Sequence, residues 1–310
     1  MRIGLGVGEL SGSAPNVDEI VGEIAAAEAD GFETAWLAQV FGTDALTDLV
    51  VAGAKTSSIS LGTAVVPTWP RHPMALAQQA ITTNVAAGGR LRLGIGLSHK
   101  PVIEAMFGIP FEKPASHMEE YLDVLTSLAR AGAVSHMGEN FRVAGSIAVD
   151  GASPFPVYVA ALGPRMLAAA GRLADGTITW MTGRKTIESH IAPTIRAAAD
   201  EVDRPAPAVI VGLPVAVCDD VAAAQDRASK IFAIYPTLPS YRAMLDREGI
   251  ADASGLIVAG DEASVEAQLG EYVDAGATEF CLVVVGVGAS SEERAESETR
   301  TRSLLARLNS

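Results

Sequence analysis

Eight times along the chain an apolar, β-like run hands over to a longer stretch with helical spacing, and this alternation is the strongest constraint on what the sequence can fold into. "RIGLGVG" is followed by "NVDEIVGEIAAAEADG", where Val17, Ile20, Val21 and Ile24 recur at helical intervals behind an N-cap candidate, Asn16. "FETAWLA", "ISLGTAVV", "LRLGIGL", "FPVYVAAL", "DGTITWM", "AVIVGLPVAVC" and "EFCLVVVG" open the remaining seven units. Strands that alternate with helices pair in parallel through right-handed crossovers. Eight such units in 310 residues predict a closed (β/α)8 TIM barrel, for which about 250 residues is typical.

Two segments depart from the alternation. Residues 133–153 read as a β-hairpin inserted before strand five, and residues 232–260 as a long excursion within the seventh unit. No low-complexity tract or linker divides the chain, so residues 1–310 are expected to form a single domain. The alternative is an open, doubly wound sheet. It calls for G-x-G-x-x-G with an acidic residue at the proper distance, and no unit carries that pattern. "RLRLGIGLSH", residues 90–99, lacks the third glycine, so Gly94 and Gly96 read instead as small residues that leave room for a ring in the barrel lumen.

A formal net charge of −14 disfavours nucleic acid and anionic membranes as partners, since both repel an acidic surface. Cys218 and Cys281 lie in apolar runs, where a thiol behaves as a small hydrophobe, and no disulfide is expected. The first residues enter a strand without a basic-then-apolar leader, which points to a cytoplasmic protein. The longest uncharged apolar run, "PAPAVIVGLPVAVC", is shorter than the roughly 18 residues that a membrane-crossing helix needs.

In such a barrel, chemistry gathers where the strands end. Those positions hold Gly8 and Glu9; Ala38, Gln39 and Phe41; Ala64, Val65 and Trp69; Gly96 to Ser98 and His99; Ala160, Ala161, Leu162 and Gly163; and Thr179, Trp180, Met181 and Thr182. Few are ionisable, and they contain no Ser-His-Asp set, carboxylate pair or metal-ligand cluster. A mouth of small, apolar and aromatic residues suits a large planar cofactor that brings its own reactivity.

Within "YVAALGPRM", the small residues and Pro164 form either an anion site at a helix N-terminus or an ordinary tight turn. The prolines of "LGTAVVPTWPRHP" enforce a rigid path that serves as helix punctuation or as a wall behind a ring, with His72 a capping or packing residue. His99 reads as an acid/base, a hydrogen-bond donor to a ligand, or an exposed loop residue. Glu9 is a second, weaker acid/base candidate. Phe41, Trp69, Trp180 and Met181 are candidate pocket walls.

"RHPMALAQQAITTNVAAGGRLRLGIG", residues 71–96, resembles the pattern of the bacterial luciferase-like flavin and deazaflavin oxidoreductases. "GFETAWLAQVF", "VYVAALGPRMLAAAGRLADGTIT" and "VDAGATEFCLVVV" are similar to other parts of the same family. Among its branches, "QVFGTDAL" and "LGIGLSHK" look most like a group assigned to coenzyme F420, with FMN as the alternative cofactor. The resemblance implies a hydride passed at the deazaflavin C5, a non-proline cis peptide mapping onto Ala64-Val65 behind the ring, and phosphate contacts on Ala160, Ala161, Leu162 and Gly163. It places the tail side on Thr179 and Trp180 and ring-edge contacts on Ala38 and Gln39, and implies a homodimer; Ser98 and His99 are candidate cofactor contacts by their own place at the end of strand four.

Relatives that oxidise alcohols or sugars carry an Asp-His pair after strand two and an acidic residue after strand four. This chain has Gln39-Val40 and His99 there, which favours a reductase of a small organic substrate with His99 or water as proton source. An FMN-dependent luciferase-like monooxygenase, and a barrel that binds flavin or F420 without turnover, are the alternative readings.

Overall fold

The computed structural model of the protein describes residues 1–11 and 15–309. Eight parallel strands close on themselves: β1 (Ile3–Val7), β2 (Thr34–Leu37), β3 (Ser60–Thr63), β4 (Leu91–Gly96), β5 (Val157–Val159), β6 (Gly176–Trp180), β7 (Ala208–Val217) and β8 (Glu279–Val284). Each pairs with the next, and β8 returns to β1 with Gly4 opposite Cys281, so the expected TIM barrel is the fold. The ring of helices buries Ile20, Leu46, Leu49, Leu76, Leu122, Leu167 and Ile195 against the outer faces of the strands.

Alternation along each strand sends every second side chain into the lumen. Trp36 is fully buried there, among Tyr158, Ile178, Ile210 and Cys281. Gly62 sits beside it because a Cβ at that position would lie 2.2 Å from the indole. Below Trp36, the Arg92 guanidinium donates to both oxygens of Glu279, to Thr34 Oγ1 at 2.8 Å and to Tyr158 Oη at 2.8 Å. It also lies 4.9 Å from the Trp36 ring and 5.1 Å from that of Tyr158. The base of the lumen is thus a packed, charge-compensated plug.

Gly94 and Gly96 depart from the expectation that they make room for a ring. A Cβ on Gly94 would approach the Thr63 carbonyl oxygen to 2.0 Å, and one on Gly96 would approach Val65 Cγ2 to 2.7 Å. What they admit is the protein's own backbone, where the chain bulges past β3 and resumes as the two-residue strand Val66–Pro67 against β4.

Both interruptions contain regular structure. Ala133–Met137 and Arg142–Ser146 form the expected antiparallel hairpin. The excursion holds the helix Pro239–Glu248 and ends in a short strand, Val258–Gly260, parallel to the last part of β7. Strand four is followed by two helices, Lys100–Phe107 and Pro114–Ala131, where one was anticipated. Both cysteines are buried and free. Among the described residues no helix is long and apolar enough to cross a membrane.

Candidate active site

Residues far apart in sequence meet where β3, β4 and β5 end. The Ala64-Val65 peptide is cis, in agreement with the mapping above, and Ala64 N–H donates to the Leu37 carbonyl at 2.8 Å. A Cβ on Gly96 would meet Ala160 Cβ at 3.2 Å as well as Val65, so the bulge and the turn after β5 share one patch of the mouth.

That turn is built for close approach. Ala160 N–H donates to the Ile95 carbonyl at 2.8 Å, Gly163 is the extended N-cap of helix Pro164–Leu173, and no side chain caps the helix. The helices that follow β1, β2, β3 and β8 are capped by Asn16, Asp44, His72 and Ser290. The one after β5 keeps its first N–H groups free for an anion, and a Cβ on Gly163 would meet no protein atom within 4 Å. Behind the turn, buried His190 donates through Nε2 to the Leu162 carbonyl at 2.8 Å. Nothing in the sequence singled out His190, since it sits in a helical stretch and acts on a turn 28 residues away.

Several expected contacts face elsewhere. Thr179 is 2 % exposed, with its hydroxyl directed at the Ile210 carbonyl, because alternation turns it outward and leaves Trp180 inward. Met181 is 1 % exposed in a left-handed backbone, so it packs in the core and forms no pocket wall. Phe41 is exposed. Trp69 stacks at 3.9 Å on His117, beside Phe111, and belongs to an aromatic cluster between the proline-rich turn and the hairpin. Burial lowers the pKa of His117 to about 4.

Ala38 is buried, and Gln39, with its amide oxygen toward Arg71 at 2.7 Å and 3.2 Å, joins a network in which Arg71 and Gln79 both donate to Asp44. Glu9 accepts the Val40 N–H at 3.1 Å and so ties the turn after β1 to the one after β2. His72 accepts the Met74 N–H at its own helix start, a capping role as expected.

Ser98 adopts a left-handed backbone, φ 58°, which turns the chain so that half-buried His99 becomes the N-cap residue of Lys100–Phe107 without capping it. Desolvation lowers the His99 pKa, leaving a neutral imidazole at pH 7. Over it lies a row of rings of which the sequence pointed only to Trp180: it contacts Phe232 at 5.7 Å and Tyr235 at 6.3 Å, Tyr235 contacts Tyr241 at 4.8 Å, and Tyr241 reaches His99 at 5.9 Å. The excursion therefore roofs the mouth from β4 to β6. Among the described residues no group of three or more His, Cys, Asp or Glu could hold a metal.

The closed parallel barrel thus carries a cis bulge, a turn leading into an uncapped helix and an aromatic roof at one mouth. The family model for the luciferase-like monooxygenase domain matches residues 3–279, and the chain belongs to that family. A Mycobacterium tuberculosis protein provisionally named a coenzyme F420-dependent oxidoreductase is 34% identical over 191 residues, covering 57% of this chain and 54% of that protein. The chain thus matches about half the length of that relative. The 5,10-methylenetetrahydromethanopterin reductase of Methanolobus tindarius is 29% identical over 76% of this chain and 74% of its own. Among solved structures, the coenzyme F420-dependent tetrahydromethanopterin reductase of Methanopyrus kandleri superposes with a TM-score of 0.80 at 24% identity, covering 99% and 97% of the two chains. The monooxygenase RslO1 of Streptomyces bottropensis superposes with a TM-score of 0.77 at 19% identity over the full length of both. These likenesses support an oxidoreductase or monooxygenase of this family.

Proposed function

We propose that the protein is a coenzyme F420-dependent oxidoreductase that reduces a small organic substrate carrying a polarised double bond. The observation that carries this reading is the mouth itself, where a free helix N-terminus and an open Gly163 stand beside the Ala64-Val65 bulge, and where Glu9 is engaged by the Val40 N–H. The names of the relatives support the choice of coenzyme.

The residues fit the group. The N–H groups behind Gly163 would hold its phosphate, Val65 and Ala160 would meet its ring system, and the roof from Trp180 to Tyr241 would exclude water from the reacting face. When bound, the reduced deazaflavin supplies a hydride at C5. Neutral His99 lends a hydrogen bond at the mouth, and His190 holds the turn after β5 in its binding shape. Two copies of the chain are proposed to pair through the helices that follow β2 and β3.

Separate equilibrium titrations with F420 and with FMN test the reading. The expected result is micromolar affinity for F420 and much weaker binding of FMN, as roughly −8 kcal/mol of binding energy requires. Tight FMN binding with none of F420 would replace it with the monooxygenase, and binding of F420 without turnover of any enone or carbonyl substrate would make the barrel a carrier.

A further inference from the structure

We propose that Tyr241, carried over the mouth by the excursion after β7, is the catalytic acid of the reduction, and that His99 is the positioning residue against which its ring rests. This rests on the reductase reading above and names the proton source which that reading leaves open.

Tyr241 stands in the first turn of helix Pro239–Glu248. Its ring meets Tyr235 edge-on at 4.8 Å and lies 5.9 Å from the His99 ring, while Tyr235 in turn leans on Trp180. Contacts from the ends of β4 and β6 thus hold the phenol from two sides. Its backbone N–H donates to the Leu238 carbonyl, and among the described residues no protein group hydrogen-bonds its hydroxyl. Tyr241 as a whole is half-buried, and a hydroxyl that no protein group engages is available to a ligand at the mouth.

Charged neighbours on the same elements are engaged elsewhere. Lys100 pairs with Glu104 at 3.7 Å, and Arg242 with Asp246 at 2.8 Å and with the Ile250 carbonyl at 2.7 Å. Tyr235 is the remaining titratable neighbour, and burial keeps its phenol and that of Tyr241 protonated well above the ordinary value. Desolvation disfavours imidazolium at His99, and Tyr241, held between His99 and Tyr235, is the other proton donor on this side of the mouth.

The step balances. The electron-poor atom of the substrate's double bond takes a hydride from the reduced deazaflavin, a two-electron oxidation of the coenzyme. The Tyr241 Oη–H bond breaks, its proton goes to the electron-rich atom of the former double bond, and water returns a proton to the phenolate beside the His99 imidazole. The developing carbanion or alkoxide is a stronger base than phenolate, which makes the transfer favourable.

Tyr241→Phe keeps the ring contacts and removes only the hydroxyl. Its F420 affinity is expected to match wild type, its dissociation constant for 2-cyclohexen-1-one on the protein loaded with oxidised coenzyme to rise several-fold, and its turnover to fall about a hundredfold. The wild-type rate should be level from neutral pH to about pH 9 and fall at lower pH as His99 protonates, and His99→Gln should abolish that acid limb. A wild-type rate that climbs as pH falls would make imidazolium the donor and overturn the proposal. So would a Tyr241→Phe enzyme within about twofold of wild type in both turnover and enone affinity. In either case intact F420 binding leaves the functional reading standing, whereas failure of the wild type to bind F420 removes that reading and the acid role with it.

Discussion

A histidine with little to offer catalysis illustrates how burial alone writes a pH dependence. His117 is 5 % exposed, stacked under Trp69 with Nε2 3.2 Å from Thr68 Oγ1. Desolvation lowers its pKa from 6.5 to about 4. Above pH 6.5 both folded and unfolded chains hold it neutral and it contributes nothing to the pH dependence. As pH falls from 6.5 towards 4 the unfolded chain takes up a proton that the folded one refuses, so stability declines across that window and levels off below it. The loss is about 2 kcal/mol once residual solvent access is allowed for. Carboxylates act lower: Glu28, held at about 2 chiefly by the N–H groups of Ser58 and Ile59, loses its contribution only as pH drops from 4.5 towards 2. Melting curves recorded from pH 7 to 4 should show the decline, and His117→Gln should flatten much of it. An equally steep profile in that variant would assign the effect to other groups.

Among the elements, the hairpin and the excursion show what sequence periodicity reports and what it omits. The eight barrel strands were legible because each is a local run of apolar residues, and the mouth followed from the rule that such barrels work at their strand ends. The turn from Ala160 to Gly163 and the capping role of His72 were legible for the same reason, being local chemistry. The aromatic roof was not, because Trp180, Tyr235 and Tyr241 meet across more than fifty residues and no local pattern encodes that contact. Thr179 was misplaced through the pleat, where a one-residue error exchanges mouth for helix layer.

The hairpin is likewise fixed by distant partners. Glu120, on helix Pro114–Ala131, accepts N–H groups from Asn140 and Phe141 at 2.9 Å each and the Asn140 amide at 2.7 Å. Against the opposing effect of partial burial, these donors hold its carboxylate near a pKa of about 2. Glu120→Ala leaves those donors unpaired. Hydrogen exchange at residues 138–141 should accelerate, with a stability loss of about 1–3 kcal/mol. Unchanged protection there would show that the hairpin is held by its own strand pairing.

On the scale of the whole molecule, charge decides where a second copy can approach. A chain with 60 charged residues and a net charge of −14 repels itself over most of its surface. The helices Ala45–Gly53 and Pro73–Ala86 are the exception: their one charged residue, Asp48, is buried, and their outer faces present Thr47, Val51, Ala75, Gln78 and Thr82. Between them runs an open groove of about 390 Å³, lined by Leu46, Val50, Ala75 and Gln78 among others. A neutral face of small and apolar side chains can be buried against its own copy without desolvating charge, which is the condition an isologous interface has to meet. In sedimentation at micromolar concentration the protein should therefore run at about twice 32.0 kDa. Ala75→Arg adds an exposed charge on an exposed position and should return the protein to the monomer with its melting temperature otherwise close to that of the wild-type subunit. A wild type that stays monomeric, or a dimer indifferent to Ala75→Arg, would show that this neutral face serves only to pack the two helices against each other.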